Sequence, residues 1–470
     1  MKRSRLIAAR GHKNWTLEVA AEHLEVAVGT LSRWEHGTAM PYAFNIEKLC
    51  AVYGMSATDL GLEQPASEQE ANPAFSASME PQLPALQEDL TLRLFALVIR
   101  SRRTTSRELQ RLQAKVVLTV EECDSMNTNN QNYQITRREA LQRLALLPLM
   151  TLGISPSSVV THHPFEDILA QCAAGVTACR YLAKGQHGEL ALAWSTLSAY
   201  LPSLKAIAKD SAQHRKEATN LVAQCYLLKH VLGLHIESPN VAIAKGYAKR
   251  ALTYSKECDD LFLQLTALKY LTWAYNSDKQ YQSALQTIEQ AMSLIEQSRN
   301  VLPPRVCSGI YSTLAVIQAK NGVSAVSSLR LAQESFFASS VDDPALTLDV
   351  DLGYAQLMRN DGLAYYYTGQ YQEALHAFAQ VIDPNDLSPK VPMAVRTRVE
   401  ILTNQTMAAL KSPTRDREQT IKCWTASMQG AITLQSQQRF DEACLAYEVM
   451  AGVWPGDKRI TEMRELTRHW

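Results

Sequence analysis

The chain has 470 residues, and its 47 Lys and Arg residues balance its 47 Asp and Glu residues, so the formal net charge at pH 7 is zero. This balance excludes a general attraction to nucleic acid or anionic membranes, and any nucleic-acid site must therefore be local. Hydrophobic residues make up 46% of the sequence, as in a globular chain, and the longest apolar run, roughly residues 144–154, is about half as long as a membrane span.

The first predicted elements are short helices within residues 1–62. Residues 16–35 read TLEVAAEHLEVAVGTLSRWE, in which the side-chain oxygen of Thr16 can cap a helix. The predicted inward face of this helix consists of Val19, Ala20 and Leu24. A second helix is predicted after a turn, and the small residues between them allow the two helices to cross closely.

This layout resembles the Cro/repressor-like (XRE) family of helix-turn-helix proteins. The residues that carry the resemblance are Arg10, Thr16, Ala21, Leu24, Val26, Thr30, Leu31, Ser32, Arg33, Trp34, Glu35, Gly37 and Pro41. The resemblance implies a five-helix domain that binds double-stranded DNA through its recognition helix. It also implies an ion pair between Arg10 and Glu35 that ties the first helix to the recognition helix.

The resemblance places the DNA contacts within the helix-turn-helix itself. The expected DNA-binding residues are Thr16, Leu17, Ala27, Val28, Gly29, Thr30, Ser32 and Arg33. The family usually has Gly at the turn, where this chain has Glu25, and Ala27 and Val28 can contact only thymine methyl groups. Modest specificity for each half-site is expected, supplemented by dimerisation. The alternative is a mini-domain that has lost DNA binding, because residues 1–60 hold seven Lys and Arg against six Asp and Glu.

An acidic segment and then a basic one follow the predicted DNA-binding domain. Residues 63–90 contain four prolines, six acidic residues and no basic ones, which is typical of a solvated linker. Residues 91–160 are predicted to contain a basic linker helix and connecting helices. The basic cluster consists of Arg93, Arg100, Arg102, Arg103, Arg107, Arg111 and Lys115, offset only by Glu108. It is interpreted either as a solvated helix face or as an arm that contacts phosphates or stabilises a dimer.

Residues 161–470 are predicted to be almost entirely helical, because apolar residues recur at three- and four-residue spacing and glycine is sparse. Small and aromatic residues recur in three clear copies: Ala284, Ile288 and Ala291; Gly362, Tyr365, Gly369, Tyr371, Ala374 and Phe378; and Ala431, Phe440, Ala443 and Tyr447. The pattern resembles the tetratricopeptide repeat (TPR), which implies an α-solenoid of five or six TPR-like helical hairpins. It departs from that repeat at Lys279, where Gly is usual, and at Asp361, where Leu is usual. The predicted fold of the chain is therefore all-α.

In the TPR pattern the first helix of each hairpin faces the inside of the array, where a ligand is expected. The residues that this register places there are Arg180, Tyr226, Lys229, Lys269, Trp273, Asn276, Arg359 and Tyr366. Four of these are cations, three are aromatic and none is acidic. Because cations hold carboxylates and Asn276 can pair with a peptide backbone, the expected ligand is a short peptide or another carboxylate-bearing molecule. The alternative is that each is an ordinary solvated position of an amphipathic helix.

The sequence does not indicate catalytic or metal chemistry. It contains neither a Gly-x-x-x-x-Gly-Lys-[Ser/Thr] phosphate loop nor a His-Glu-x-x-His motif, so no enzyme activity, cofactor or metal is expected. His162 and His163 are adjacent in a predicted loop and are interpreted as solvent-exposed rather than as metal ligands. The nine cysteines form no Cys-x-x-Cys pair and residues 1–7 do not read as a secretory leader, so free thiols in the cytoplasm are expected.

A DNA-binding head, a linker and a TPR array in one chain together resemble the Gram-positive cytoplasmic receptors for peptide pheromones. The resemblance implies a homodimeric transcriptional regulator whose array senses a short peptide in quorum sensing and mediates self-association, without a membrane partner. Two alternatives stay open at this point. One is a TPR adaptor that binds a protein partner and carries an accessory helix-turn-helix, and the other is an enzyme whose motif is not recognisable.

The recognition helix supplies the first testable prediction. We expect Arg33→Ala to weaken binding to a duplex taken from the protein's own upstream region, because one good contact to a base is worth about 1–3 kcal/mol. Fluorescence anisotropy with the full chain measures this affinity, and circular dichroism checks that the variant is folded. An unchanged affinity in a folded variant would remove the DNA-reading role assigned to this helix.

Overall fold

The computed structural model describes residues 4–13, 15–24, 28–36, 49–50, 52–56, 58–62, 94–95, 97–98, 105–126, 140–147, 165–236, 241–298, 302–338 and 352–468. The chain divides into two compact units, residues 1–85 and 86–470. Across the described ranges all regular secondary structure is helical, in agreement with the all-α prediction. Among these helices, none is both long and apolar enough to cross a membrane.

The first unit contains α1 (Ser4–His12), α2 (Leu17–His23) and α3 (Val28–His36). The Val19 N–H donates to Thr16 Oγ1 over 3.3 Å, so Thr16 caps α2 as predicted. The buried side chains of this unit include Leu6, Ala20, Ala21, Leu24, Leu31, Trp34, Leu49 and Leu60. The prediction was wrong at Val19, which is 38% exposed, because adjacent residues point about 100° apart around a helix and Val19 therefore lies off the face shared by Ala20 and Leu24. The predicted turn at Glu25, together with Gly37 and Pro41, lies outside the described residues, so the five-helix count stays a prediction.

The second unit begins with α4 (Ser106–Met126) and a helical stretch over residues 140–147. Ten helices follow as five consecutive pairs: α5 (Phe165–Leu182) and α6 (His187–Asp210), α7 (Arg215–Ile236) and α8 (Val241–Glu257), α9 (Leu261–Ser277) and α10 (Tyr281–Gln297), α11 (Pro304–Lys320) and α12 (Val326–Ala338), and α13 (Tyr354–Tyr367) and α14 (Tyr371–Ala379). The array ends with α15 (Val395–Lys411), α16 (Arg417–Leu434), α17 (Gln437–Val453), α18 (Lys458–Glu462) and a 3₁₀ turn, Met463–Arg468. The helices of each pair pack against each other, which agrees with the predicted series of TPR-like hairpins.

Turns in two of the helical pairs share one backbone geometry. Lys279 and Gly369 follow the first helix of two different pairs, and both have left-handed backbones, with φ of 57° and 79°. In each turn the N–H of the following residue donates to the carbonyl five positions earlier. The Gln280 N–H donates to the Tyr275 carbonyl over 2.8 Å, and the Gln370 N–H donates to the Tyr365 carbonyl over 2.9 Å. Lys279 therefore occupies the position where the repeat usually has Gly, at a cost of about 1–2 kcal/mol for a side chain in that conformation.

Paired helices approach most closely at small residues. A Cβ built on Gly362 of α13 would lie 2.3 Å from Cε1 of Phe378 in α14, whose side chain is fully buried. Ala374, on the same helix as Phe378, and Ala284 and Ala291 of α10 are also fully buried. Small side chains at these crossings let the two backbones come together, while the large neighbours fill the groove toward the next pair.

The last helices of the array return to its first pairs. The Val395 N–H donates to the Lys184 carbonyl over 3.1 Å, and Arg396 Nη1 donates to the Ala183 carbonyl over 2.6 Å. His235, at the end of α7, is 2.8 Å from the hydroxyl of Ser436, which caps α17. These contacts join segments about 200 residues apart in sequence, so helices from both parts of the array line one common space.

One core position of the repeat is occupied by an acid. Asp361 is 1% exposed on α13, where the repeat usually has Leu, and its Oδ2 accepts a hydrogen bond from Gln333 Nε2 at 2.7 Å. Within the described part of the chain its Oδ1 has no hydrogen-bond partner. Burial raises the pKa of Asp361 to about 6, against the opposing effect of the Gln333 hydrogen bond.

The buried carboxyl group makes stability depend on pH. A folded pKa above the unfolded value means that the folded chain holds this proton more tightly, so the free energy of unfolding falls as pH rises from about 4 to 6. We expect Asp361→Asn, which keeps an acceptor for Gln333, to remove this dependence and gain about 2–3 kcal/mol relative to wild type over that window. Urea titrations at pH 4.5, 5.5, 6.5 and 7.5 measure it. A constant difference between the two proteins would show that Asp361 is ionised throughout.

The close crossing of α13 and α14 gives a prediction about packing. We expect Gly362→Ala to lower the free energy of unfolding by about 1–3 kcal/mol, because the added methyl group overlaps the Phe378 ring. The matched control is Gly246→Ala in the middle of α8, where nothing lies within 4 Å of the added Cβ. There Ala should stabilise the helix by about 0.5–1 kcal/mol. Equal effects of the two substitutions in urea unfolding would contradict the proposed crossing.

Candidate functional site

The first candidate site is the helix-turn-helix, in which a partly buried ion pair joins two helices. Arg10 Nε donates to Glu35 Oε1 over 2.6 Å and Arg10 Nη2 to Glu35 Oε2 over 3.0 Å, so the pair is bidentate. Arg10 Nη1 also donates to the Trp15 carbonyl over 3.1 Å. The ion pair expected from the family resemblance is therefore confirmed. It links α1 to α3 and orients the recognition helix.

Glu35 also affects a buried hydroxyl group nearby. Glu35 is 2% exposed. Burial of the Tyr53 side chain and the nearby carboxylate of Glu35 raise the pKa of Tyr53 to about 12, although Arg10 opposes the shift. Trp34, next to Glu35 on α3, is 4% exposed and belongs to the core. The inward side of α3 therefore packs in the core of the domain, and only its other side is available for contacts with DNA.

The structure describes only part of the predicted DNA-binding set. Thr16 is exposed at the start of α2, while Leu17 and Ser32 are half-buried. Val28, Gly29, Thr30 and Arg33 lie on α3, but their side chains are outside the described part, as is all of Ala27. The DNA contacts of these residues stay a prediction.

The second candidate site is a cavity of about 400 Å³ inside the second unit. Its walls come from alternate helices, α7, α9, α11, α13, α15 and α17, while the second helix of each of the first five pairs stays outside. This volume falls in the range of small-molecule sites in proteins. The inner lining follows from the pairing, because in each hairpin one helix faces inward and the other covers it.

The cavity brings together five of the eight residues predicted to bind the ligand. These are Lys269, Trp273, Asn276, Arg359 and Tyr366. The guanidinium carbon of Arg359 lies 4.7 Å from the centre of the Trp273 ring, so the cation stacks on the aromatic face. Lys269 is only 4% exposed, and its ammonium lies 5.0 Å from the Tyr270 ring centre.

The other three predicted residues lie in the packing of the first pairs and not in the cavity. Arg180 Nη2 donates to Gln224 Oε1 over 2.7 Å. Tyr226 stacks on Tyr254 with ring centres 5.7 Å apart. Lys229 Nζ donates to Ser198 Oγ over 2.6 Å and lies 3.5 Å from the Trp194 ring centre. Each of the three side chains therefore contacts a neighbouring helix of the first two pairs.

Sequence reasoning missed a network of charged residues on the opposite wall. Glu400 on α15 accepts from Arg359 through Oε1 and from Arg439 through Oε2, the latter at 3.1 Å. Arg439 also pairs with Glu442, and Arg396 lines the cavity from the same side. Arg396 and Glu400 lie on α15, which carries none of the three clear repeat copies, and Arg439 and Glu442 lie on α17, the second helix of the third copy. The repeat register placed ligand residues only on the first helix of each hairpin, so it did not point to this network.

The charged groups of this network shift one another's pKa values. Burial alone would raise the pKa of Glu400, but Arg359 and Arg439 hold it below its usual value. Burial raises the pKa of Glu442, and the charge of Glu400 adds to that effect against Arg439. His235 is fully buried beside Arg439 and Arg396, and burial and these cations place its pKa well below the usual value. His235 is therefore neutral at neutral pH and adds no charge to the cavity.

Several buried polar atoms of the lining have no hydrogen-bond partner within the described ranges. Asn276 Oδ1, Arg359 Nε and Gln438 Oε1 are buried and have no hydrogen-bond partner among the residues that the structure describes. A buried polar atom without a partner costs free energy that a ligand can recover by supplying the missing hydrogen bond. The lining thus offers both a donor and acceptors. No cluster of His, Cys, Asp or Glu in the described part of the chain is suited to hold a metal ion.

Comparison with known proteins separates the head from the array. Residues 6–60 match the helix-turn-helix family model. No curated protein matches the sequence. Three solved structures share helical architecture with the chain at low identity, and they are described next.

The complex of PlcR from Bacillus thuringiensis with the peptide PapR7 and DNA is 11% identical, with a TM-score of 0.28, and the match covers 72% of this chain and 95% of that one. The Cut9–Hcn1 hetero-tetramer of APC/C is 13% identical with a TM-score of 0.31, covering 82% and 63%. The TPR domain of P58(IPK) is 13% identical with a TM-score of 0.17, covering 80% and 97%. At such scores these likenesses say nothing of what this chain binds.

The assignment therefore depends on the matched head and on the observed hairpins. The Arg10–Glu35 pair, the Thr16 cap and the buried Trp34 agree with the matched model. Residues 6–60 of this chain are a helix-turn-helix domain of the XRE type, and an all-α array of TPR-like helical hairpins follows it in the same chain.

Proposed function

We propose that this protein is a transcriptional regulator that binds DNA through its head and senses an anionic ligand, a short peptide or another carboxylate-bearing molecule, in the cavity of its array. The observation that carries the proposal is the presence, in one chain, of a helix-turn-helix domain and of a partly open cavity lined by charged and polar side chains. A helix-turn-helix reads a half-site of a few base pairs, so the proposal includes a homodimer that reads two half-sites. A regulator of this kind needs access to chromosomal DNA, so the proposal includes a cytoplasmic location.

The choice of ligand follows from the lining. Lys269 and Arg359 are cations that can donate charge-assisted hydrogen bonds to a carboxylate. Both side chains are almost fully buried, which strengthens their electrostatic interaction with an anionic ligand. Asn276 and Gln438 each offer a buried carbonyl oxygen that accepts an N–H, which a peptide backbone provides at regular intervals. Trp273 and Tyr366 add aromatic faces for apolar side chains. A short peptide with a free carboxylate uses all three kinds of group.

The same features support regulation rather than constitutive DNA binding. The cavity walls are joined by contacts between the first and last pairs, among them Arg396 to Ala183 and His235 to Ser436. A ligand that engages α9 and α13 on one side and α15 and α17 on the other adds a bridge between these walls. Such a ligand stabilises one arrangement of the array by its differential affinity for it. In the proposed regulator that arrangement alters the dimer and hence DNA occupancy.

The proposed ligand site is tested with a pool of five- to eight-residue peptides with free carboxyl termini. We expect the wild-type chain to retain members of the pool and to change its affinity for duplex DNA from its own upstream region when they are added. Lys269→Ala combined with Arg359→Ala should abolish both effects and leave DNA binding without peptide unchanged. The matched control is Lys209→Ala with Arg330→Ala, two exposed cations outside the cavity.

Removal of Arg359 also breaks its ion pair with Glu400, so a second variant is needed. Asn276→Ala removes an unpaired acceptor and no ion pair, and it should weaken peptide retention without loss of helical signal. A double variant that still responds to peptides as the wild type does would place the ligand elsewhere. Wild-type protein that prefers neither upstream DNA over random duplex nor any peptide would reject the proposed function as a whole.

A further inference from the structure

The basic cluster of residues 93–115 belongs neither to the helix-turn-helix nor to the cavity, and its described part has a defined geometry. α4 begins after Thr105, whose backbone N–H and hydroxyl both donate to Glu108 Oε2, over 3.2 and 2.8 Å. This is a capping arrangement, in which the acid satisfies the start of the helix. Glu108 is the only acid between residues 93 and 115, so the one carboxylate of the segment is engaged at the helix end.

The inner face of α4 is fixed to the array. Its buried residues are Leu109, Leu112, Gln113, Val116, Val117 and Val120. Gln113 Nε2 donates to the Ala173 carbonyl over 3.3 Å and to Gln224 Oε1 over 2.9 Å, which ties α4 to α5 and α7. The helix is therefore a rigid part of the second unit, and its outer face has a fixed orientation on that unit.

The outer face carries a single row of cations. Arg107, Arg111 and Lys115 are exposed and four residues apart, so neighbouring charges are separated by about 6 Å along the helix axis. None of the three forms an ion pair with another described residue. Like charges four residues apart destabilise a helix, so this row, which we name the basic row, costs free energy unless an anionic partner covers it.

We propose that the basic row binds the sugar-phosphate backbone of duplex DNA, as a second DNA-contacting surface that adds sequence-independent affinity to the helix-turn-helix. The inference goes beyond the ligand site, and it rests on the proposed function only in taking DNA as the partner. Residues 1–60 hold seven Lys and Arg against six Asp and Glu, so the head provides little net attraction for phosphates. Residues 93–115 hold seven against one. Phosphate neutralisation dominates non-specific DNA affinity, and the excess charge that it needs lies in this segment.

A rival partner for the row is the acidic stretch of residues 63–90, which has six acidic residues and no basic ones. The salt dependence of DNA affinity distinguishes DNA from the acidic stretch as the partner of the basic row. A cation that neutralises a DNA phosphate releases counterions and contributes about 0.9 to the slope of log affinity against log salt concentration. A cation already paired with the acidic stretch contributes nothing to that slope.

The test compares two triple variants of the full chain. Arg107→Gln, Arg111→Gln and Lys115→Gln together neutralise the basic row, while Lys209→Gln, Lys216→Gln and Lys458→Gln remove the same net charge from exposed positions on other helices. Binding to a 30-base-pair duplex of random sequence is measured by fluorescence anisotropy between about 50 and 300 mM KCl. Glutamine has a helix propensity close to that of lysine and arginine and keeps a polar, uncharged side chain, and circular dichroism checks both folds.

We expect neutralisation of the basic row to lower the magnitude of the salt slope by about 2–3 and to weaken binding by on the order of 10- to 100-fold near 0.1 M salt. The control variant should change the slope by less than about one. Equal slopes in the two variants, or a basic-row variant that matches wild type, would overturn the proposal, the second result in favour of the acidic stretch. The preference for upstream over random DNA tests the proposed regulator separately, because phosphate contacts carry no sequence information.

Discussion

The close approach of paired helices at small residues is the constraint on which the array depends. Where Gly362 meets Phe378, no side-chain atom beyond hydrogen fits on the first helix, and the second supplies a large ring to fill the space. The same alternation recurs around Ala284 and Ala431, both fully buried. A pair joined in this way has one helix outside and one inside, and a series of such pairs lines its interior with the inner helices. The cavity is a consequence of this arrangement.

The interior that results is unusually polar for a protein core. Four cations and two carboxylates line the cavity, and several of them are almost fully buried. Charged groups are costly to bury unless they are paired, and Glu400 pays part of that cost by bridging Arg359 and Arg439. Apolar residues of similar size would stabilise the array more. The retention of charge and of unpartnered amide oxygens therefore favours a binding role for this space over a purely structural one.

The helix-turn-helix domain depends on a small number of contacts. With a core of eleven described side chains, it relies on the bidentate Arg10–Glu35 pair to fix the angle between its first helix and its recognition helix. The recognition helix begins with residues that offer few hydrogen bonds to bases. This is the reason for proposing that the basic row adds affinity for DNA.

Much of this organisation was determined by the sequence alone. Local patterns determine the helix-turn-helix, because Arg10, Thr16 and Glu35 lie within 25 positions of one another. They also determine the helical pairs, because small and aromatic residues meet across one short turn. Five cavity residues, Lys269 and Arg359 among them, could be placed from the repeat register for the same reason. The assignment of Val19 to the core was wrong because a seven-residue helix leaves its apolar side ambiguous by one position.

Only the tertiary structure decided what closes the cavity. Arg396, Glu400 and Arg439 reach it because the end of the array returns to Ala183 and His235, about 200 residues earlier in the chain. Arg180, Tyr226 and Lys229 lie in helix packing instead, although the register placed them with the ligand site. A repeat pattern records which side of a helix is inward, whereas the small rotation from each pair to the next accumulates over the whole array and determines which inward residues meet.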